Sequence, residues 1–165
     1  AVPITYEGSL TPGVTVGGSI RDPALTGTPN DDFWSFTGTE GQVITLVGHR
    51  LDAGLDLAFY VYRGTGTDTG QLGQEIAIAD DEIPALPGLD GPFADPRLLN
   101  FSLPTTGAYT VQVWDFLSTD VPDGTDRPYQ LTLDISTVPE PGGLPLLGIA
   151  ALGWYGLIRR RRDRS

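Results

Sequence analysis

The chain has 165 residues, with 22 glycines, 14 prolines, no cysteine and no methionine, and 10 basic against 21 acidic residues give a formal net charge of −11. Half of the basic residues lie beyond position 158, so residues 1–158 keep five basic and twenty acidic groups, a net of −15. This composition excludes disulfide and thiolate chemistry, and so acidic a surface repels nucleic acid and anionic lipid, leaving neither as an expected partner.

A chain that begins at Ala1 is expected to have lost its initiator, as removal of an export signal would leave it. Phe33, Trp34 and Phe36 mark an early strand, opened by Asp32, whose side chain is expected to cap a turn or order the adjoining strand. Residues 37–41 hold a turn signal, and Val43, Ile44, Thr45, Leu46 and Val47 are apolar on both faces, which predicts a central strand. His49, the only histidine, ends that strand beside Arg50. Leu57, Phe59 and Val61 form one face of the next strand, with Ala58, Tyr60 and Tyr62 on the other. A polar loop covers 64–73, and Ile76 with Ile78 marks a further strand.

Prolines 84, 87, 92 and 96 predict a long irregular connection over residues 80–96, of a length that is usually functional or mobile. Leu99, Phe101 and Leu103 alternate with Asn100 and Ser102, and residues 104–107 form a tight turn. Tyr109, Val111 and Val113 then alternate with Thr110 and Gln112, and Leu131, Leu133 and Ile135 with their polar neighbours. About eight short strands, with no helical stretch before residue 142, predict an all-β sandwich or barrel. The expected division is a β-sandwich domain over 1–135, a linker over 136–142, a membrane helix over 143–158 and an arginine-rich tail over 159–165.

The end of the chain is distinctive. The 17 residues 142–158 carry no charge. As a helix they cover roughly 25 Å, slightly short of a hydrocarbon core of about 30 Å, a gap that snorkelling arginines close. Trp154 and Tyr155 sit where an interfacial aromatic belt belongs, and Arg159, Arg160, Arg161 and Arg162 stay cytoplasmic by the positive-inside rule. The sandwich then lies outside, in the periplasm or on the cell surface. The order Val138-Pro139-Glu140-Pro141, apolar segment, arginine cluster resembles the PEP-CTERM sorting signal of Gram-negative bacteria. The resemblance implies export, with Pro139, Glu140 and Pro141 as the motif read by an exosortase, a membrane protease, and an association with exopolysaccharide and biofilm.

Six segments in order resemble the bacterial pre-peptidase C-terminal domain: DFWSF at 32–36, GQVITL at 41–46, DLAFYVY at 56–62, IADD at 78–81, LPTTGAYTV at 103–111 and YQLTL at 129–133. That resemblance implies a jelly-roll-like antiparallel β-sandwich. Some members of the family bind calcium and extracellular polymers; no peptidase accompanies the domain here.

The residues offer little catalytic chemistry. One histidine and no cysteine make no zinc set. No Gly-x-Ser-x-Gly elbow accompanies His49, so no hydrolytic triad is expected. Acidic clusters remain. Asp80, Asp81 and Glu82 open the long connection, with Asp90 and Asp95 further along it, and Asp120, Asp123 and Asp126 form a second group. Calcium takes six to eight oxygens from such turns, although no EF-hand spacing is present. The expected function is a non-enzymatic, membrane-anchored, exported sandwich that binds or organises exopolysaccharide or protein. Two alternatives stand beside it: an accessory subunit of a larger membrane complex, and a calcium-dependent carbohydrate-binding module.

Overall fold

The computed structural model describes residues 2–21, 31–116 and 125–137. The expected membrane helix and arginine tail, the motif Pro139, Glu140 and Pro141, and the residues Asp120, Asp123, Trp154 and Tyr155 all lie outside them. Among the described residues no helix is long and apolar enough to cross a membrane.

Nine strands build two facing sheets: β1 Tyr6–Ser9, β2 Thr15–Arg21, β3 Asp32–Gly38, β4 Gln42–Arg50, β5 Leu57–Arg63, β6 Glu75–Ala79, β7 Arg97–Ser102, β8 Gly107–Asp115 and β9 Asp126–Thr137. A short 3-10 helix, Thr69–Gln71, sits in the β5–β6 loop. One sheet has the order β1-β3-β8-β5-β6 and the other β2-β9-β4-β7. Among the described strands only β5 and β6 are both consecutive and neighbours in one sheet; each other consecutive pair is divided between the two sheets.

The all-β reading holds, with corrections. The described residues hold nine strands rather than about eight, because β1 and β2 are rich in Gly, Ser and Thr and show no apolar face in sequence. The sandwich is not wholly antiparallel, since β1 lies parallel to β3 along a sheet edge. β4 is an interior strand, between β9 and β7, but only Ile44 and Leu46 of its apolar run are fully buried. In β7 one residue of the expected inward face is turned out: Phe101 and Leu103 face the core as expected, while Leu99 is 53% exposed and Leu98 packs inward instead. Asn100 has a φ of 53° and the β4–β7 register shifts between Ile44 and Leu46, a bulge that turns the strand over by one residue. β9 also runs to Thr137, two residues past the expected domain boundary.

The inward faces of Leu57, Phe59 and Val61, of Tyr109, Val111 and Val113, and of Leu131 and Leu133 close one core with Trp34, Phe36, Ile44 and Leu46. A polar relay crosses it. Trp34 Nε1 donates to the Tyr129 hydroxyl at 2.8 Å, and that hydroxyl donates to Asp32 Oδ2 at 2.8 Å. β3 of one sheet is thereby bonded to β9 of the other. Asp32 also accepts from the Ser19 backbone N–H at 3.2 Å, so it orders neighbouring strands as expected. Burial, reinforced by the Asp32 charge, pushes the Tyr129 pKa upward, which keeps its proton on the relay.

Gly18 makes room for this tyrosine: a Cβ there would stand 2.3 Å from Tyr129 Cζ and Oη, whereas a Cβ on Gly17 would meet nothing nearer than 3.7 Å. Gly18→Ala is therefore expected to cost at least the roughly 1–3 kcal/mol of an overpacked core. Tyr129→Phe, which leaves Trp34 without its acceptor, is expected to cost about 1–3 kcal/mol. Gly17→Ala should stay within about 0.5 kcal/mol of the parent. Urea midpoints at unchanged m-value check the order, and equal costs at positions 17 and 18 would contradict it.

Candidate functional site

The functional geometry gathers at the end of the sandwich where β5 begins and β6 ends. β4 closes on Arg50, which is fully buried. Its guanidinium donates to the Phe93 carbonyl at 2.6 Å and the Ala53 carbonyl at 3.2 Å, lies 5.9 Å from the Phe93 ring centroid, and stands 3.5 Å from Asp95 Oδ1. Asp95 is equally buried, pairs with His49 Nδ1 at 2.9 Å and accepts from the Arg50 backbone N–H. Its own backbone exchanges two hydrogen bonds with Ile83. The connection over 80–96 is thus drawn closed at its base and clamped to β4. Gly91, with a φ of 138°, lets the chain pass: a Cβ there would stand 2.8 Å from the Ala53 carbonyl and 3.0 Å from Arg50.

The clamp decides which acidic residues meet. Asp80 and Asp81 come together with Asp56, each offering a carboxylate oxygen, all within 4.8 Å of one another. Asp56 was not among the candidates from sequence, where it reads only as the residue before a strand. Its side chain is buried, 5% exposed, and its Oδ1 has no hydrogen-bond partner among the described residues; neither has Asp80 Oδ1. Asp81 Oδ1 accepts from the Ala94 N–H at 2.9 Å, tying the two ends of the connection.

The other candidates stand apart. Glu82 turns back to accept from the backbone N–H groups of Asp80 and Arg97 at 3.0 and 2.9 Å, a structural role. Asp90 is exposed on the connection. Asp95 does not join an open carboxylate cluster as expected, because its oxygens are taken up by His49 and Arg50. Asp126 is exposed at the start of β9, in register with Arg21. His49 is a clamp residue held by Asp95, not a bare strand end.

Crowding of like charge sets the electrostatics. Burial, followed by the charges of Asp80, Asp81 and Asp115, pushes the Asp56 carboxyl up to about 6, with Arg50 opposing weakly. Burial, with Asp81 and Glu82, raises Asp80 as well. Asp115 is held in turn by Arg127, whose Nη1 donates to Oδ2 at 2.9 Å across the two sheets.

A second feature lies on the outer face of the five-stranded sheet. Tyr60 stacks on Trp114 with centroids 5.5 Å apart, Tyr62 lies 6.0 Å from Tyr60, and Phe116 lies 5.3 Å from Trp114. Phe116 is 45% exposed, and so is Ile78, at 49%, opposite Tyr60 on β6. Trp114 Nε1 has no acceptor among the described residues. Sequence periodicity put Tyr60 and Tyr62 on the non-core face; it could not show that β8 sets Trp114 and Phe116 against them.

Residues 137–162 match the PEP-CTERM protein-sorting motif. That motif marks an exported protein sorted to the cell envelope. The sandwich is similar in fold to CorA, a surface-associated copper-binding protein of Methylomicrobium album BG8, with 14% identity, a TM-score of 0.53 and coverage of 82% of this chain and 100% of that one. The pre-peptidase C-terminal domain of collagenase from Bacillus anthracis aligns at 15% identity and a TM-score of 0.49, over 79% of this chain and 97% of that one. PliG of Aeromonas hydrophila, a periplasmic inhibitor of g-type lysozyme, aligns at 19% identity and 0.49, over 82% and 100%. No curated protein matches the chain in sequence.

The raised Asp56 carboxyl makes a pH prediction. In the native state it keeps its proton up to about 6, whereas in the unfolded chain it lets go near 3.8, the ordinary value for an aspartate. Between those values the native state binds more protons, so this residue's contribution to stability falls as pH rises through the window. With divalent ions chelated, the melting temperature of Asp56→Asn relative to the parent is expected to climb between about pH 4.5 and pH 7. A difference that stays flat would contradict the crowding.

Proposed function

We propose that the chain is a non-enzymatic, exported sandwich, displayed on the outer side of the envelope, which binds extracellular polysaccharide through the aromatic row of its outer sheet face. The observation that carries this reading is the junction of the two parts: the sorting motif begins at residue 137, the last residue of β9. The sandwich is thus attached without an intervening domain to the segment that directs it outward. The domain organisation follows as a single sandwich, a short Pro-Glu-Pro linker at 138–142, an apolar anchor at 143–158 and cytoplasmic arginines, with an exosortase as the partner that reads the motif.

The chemistry of the face supports a glycan. Residues 1–158 carry a net charge of −15, so anionic partners are repelled. A row of Tyr60, Tyr62, Trp114 and Phe116 offers amphipathic rings to the apolar faces of uncharged sugars. The likeness of six segments to pre-peptidase C-terminal domains fits a binding appendage rather than an enzyme. The same rings would also suit a protein neighbour, since Trp and Tyr are enriched at interface hot spots.

Two measurements test the reading. The full chain in mild detergent is expected to sediment with neutral matrix polysaccharide from the producing cells, and Trp114→Ala or Phe116→Ala to weaken that binding about tenfold, or about 1.4 kcal/mol. Unchanged binding in both variants would overturn the aromatic face. Variants that instead lose a co-extracted membrane protein would favour the accessory-subunit reading. In cells, deletion of residues 142–165 is expected to move the protein out of the salt-washed membrane fraction; continued pelleting would contradict anchoring by the tail.

A further inference from the structure

We propose that Asp56, Asp80 and Asp81 form a binding site for one divalent cation of calcium's size. The three carboxylates bring ligand oxygens within 4.8 Å of one another. Oxygens within that distance can share one ion; calcium, bonded at about 2.3–2.6 Å, accepts a flexible carboxylate shell, whereas magnesium demands a strict octahedron and gives up its water reluctantly. All three donors are hard carboxylate oxygens, which suit calcium and not copper or zinc. Water and backbone carbonyls supply the remaining positions.

The cluster alone would be an ordinary acidic turn. What distinguishes it is Asp56, a residue 95% removed from solvent whose carboxylate lies among two others and whose Oδ1 has no hydrogen-bond partner among the described residues. Buried carboxylates are held by donors or by cations, since an unpaired one costs several kcal/mol. The cation nearest in effect, Arg50, is engaged with Ala53, Phe93 and Asp95, and Arg127 donates to Asp115. Asp80 Oδ1 lacks a partner in the same way. A bound ion answers both orphaned oxygens together. It also joins the start of β5 to the end of β6 and to the 80–96 connection, which Asp81 closes through Ala94. The site adjoins the aromatic row, since the Phe116 backbone N–H donates to the Asp56 carbonyl at 2.7 Å, but its test reads cation binding alone and so does not depend on the polysaccharide reading.

The test uses the full 165-residue chain in detergent, stripped with a chelator and titrated with calcium chloride. Calcium is expected to raise the melting temperature by mass action, sodium chloride at equal ionic strength to do less, and magnesium chloride to fall between them. Asp56→Asn and Asp81→Asn should each raise the half-effective calcium concentration at least tenfold, while Asp90→Asn and Asp126→Asn, exposed carboxylates elsewhere, leave it unchanged. Asp56→Asn removes a crowded charge and is expected to fold at neutral pH. Should it not fold, the exposed Asp81→Asn decides, read by sensitised luminescence of bound terbium. Sodium matching calcium, or Asp81→Asn binding terbium as the parent does, would overturn the site.

Discussion

The buried pair of Arg50 and Asp95 is the constraint on which this end of the molecule depends. Each is fully withdrawn from solvent, and such a pair is not a gain in stability by itself, because desolvation offsets the attraction. Its effect is to specify a conformation. Breaking it by removing one partner leaves an uncompensated buried charge at about 3–5 kcal/mol, so the chain is held to the arrangement that satisfies both. That arrangement fixes Phe93 and Asp95 against the end of β4, and Asp95 fixes Ile83. A connection of proline-rich, irregular chain thereby becomes a defined surface, and Asp80 and Asp81 at its start are held against Asp56.

The same logic runs through the core. The sheets are joined by apolar packing, which is non-directional, and by the relay from Trp34 through Tyr129 to Asp32, which is not. Arg127 to Asp115 adds a second cross-sheet tie close to the carboxylate cluster. Polar groups inside this sandwich set register and relative placement, and the acidic surface sets what the molecule repels. The outer aromatic row then stands on a rigid sheet, because β5 and β8 are the strands whose inward residues fill the core.

Much of the fold was legible in the chain. Period-two alternation found the core-facing sides of β5, β8 and β9, because there every second residue is apolar and buried. β1 and β2 escaped because Gly, Ser and Thr carry no such signal, and their places come from hydrogen bonding to β3 and β9. On β7 only Leu99 departs from the alternation, because Asn100, at positive φ, interrupts a pattern that sequence presents as continuous. The site was half legible. Asp80 and Asp81 announce themselves as adjacent carboxylates, but Asp56 lies 24 positions earlier in the sequence and is brought in only by the β5–β6 pairing. Asp95 looked like a partner for them, and only its burial against His49 and Arg50 reveals a different use.

The account turns on the claim that the clamped connection presents three carboxylates that need a cation. The most direct measurement is a crystal structure of the protein grown in calcium chloride, with anomalous differences collected at long wavelength. A single peak bounded by oxygens of Asp56, Asp80 and Asp81 at about 2.3–2.6 Å, with Arg50 still against Asp95, is the result the account requires. A map without that peak, in which Asp56 is instead paired to an arginine or turned out to solvent, would contradict it.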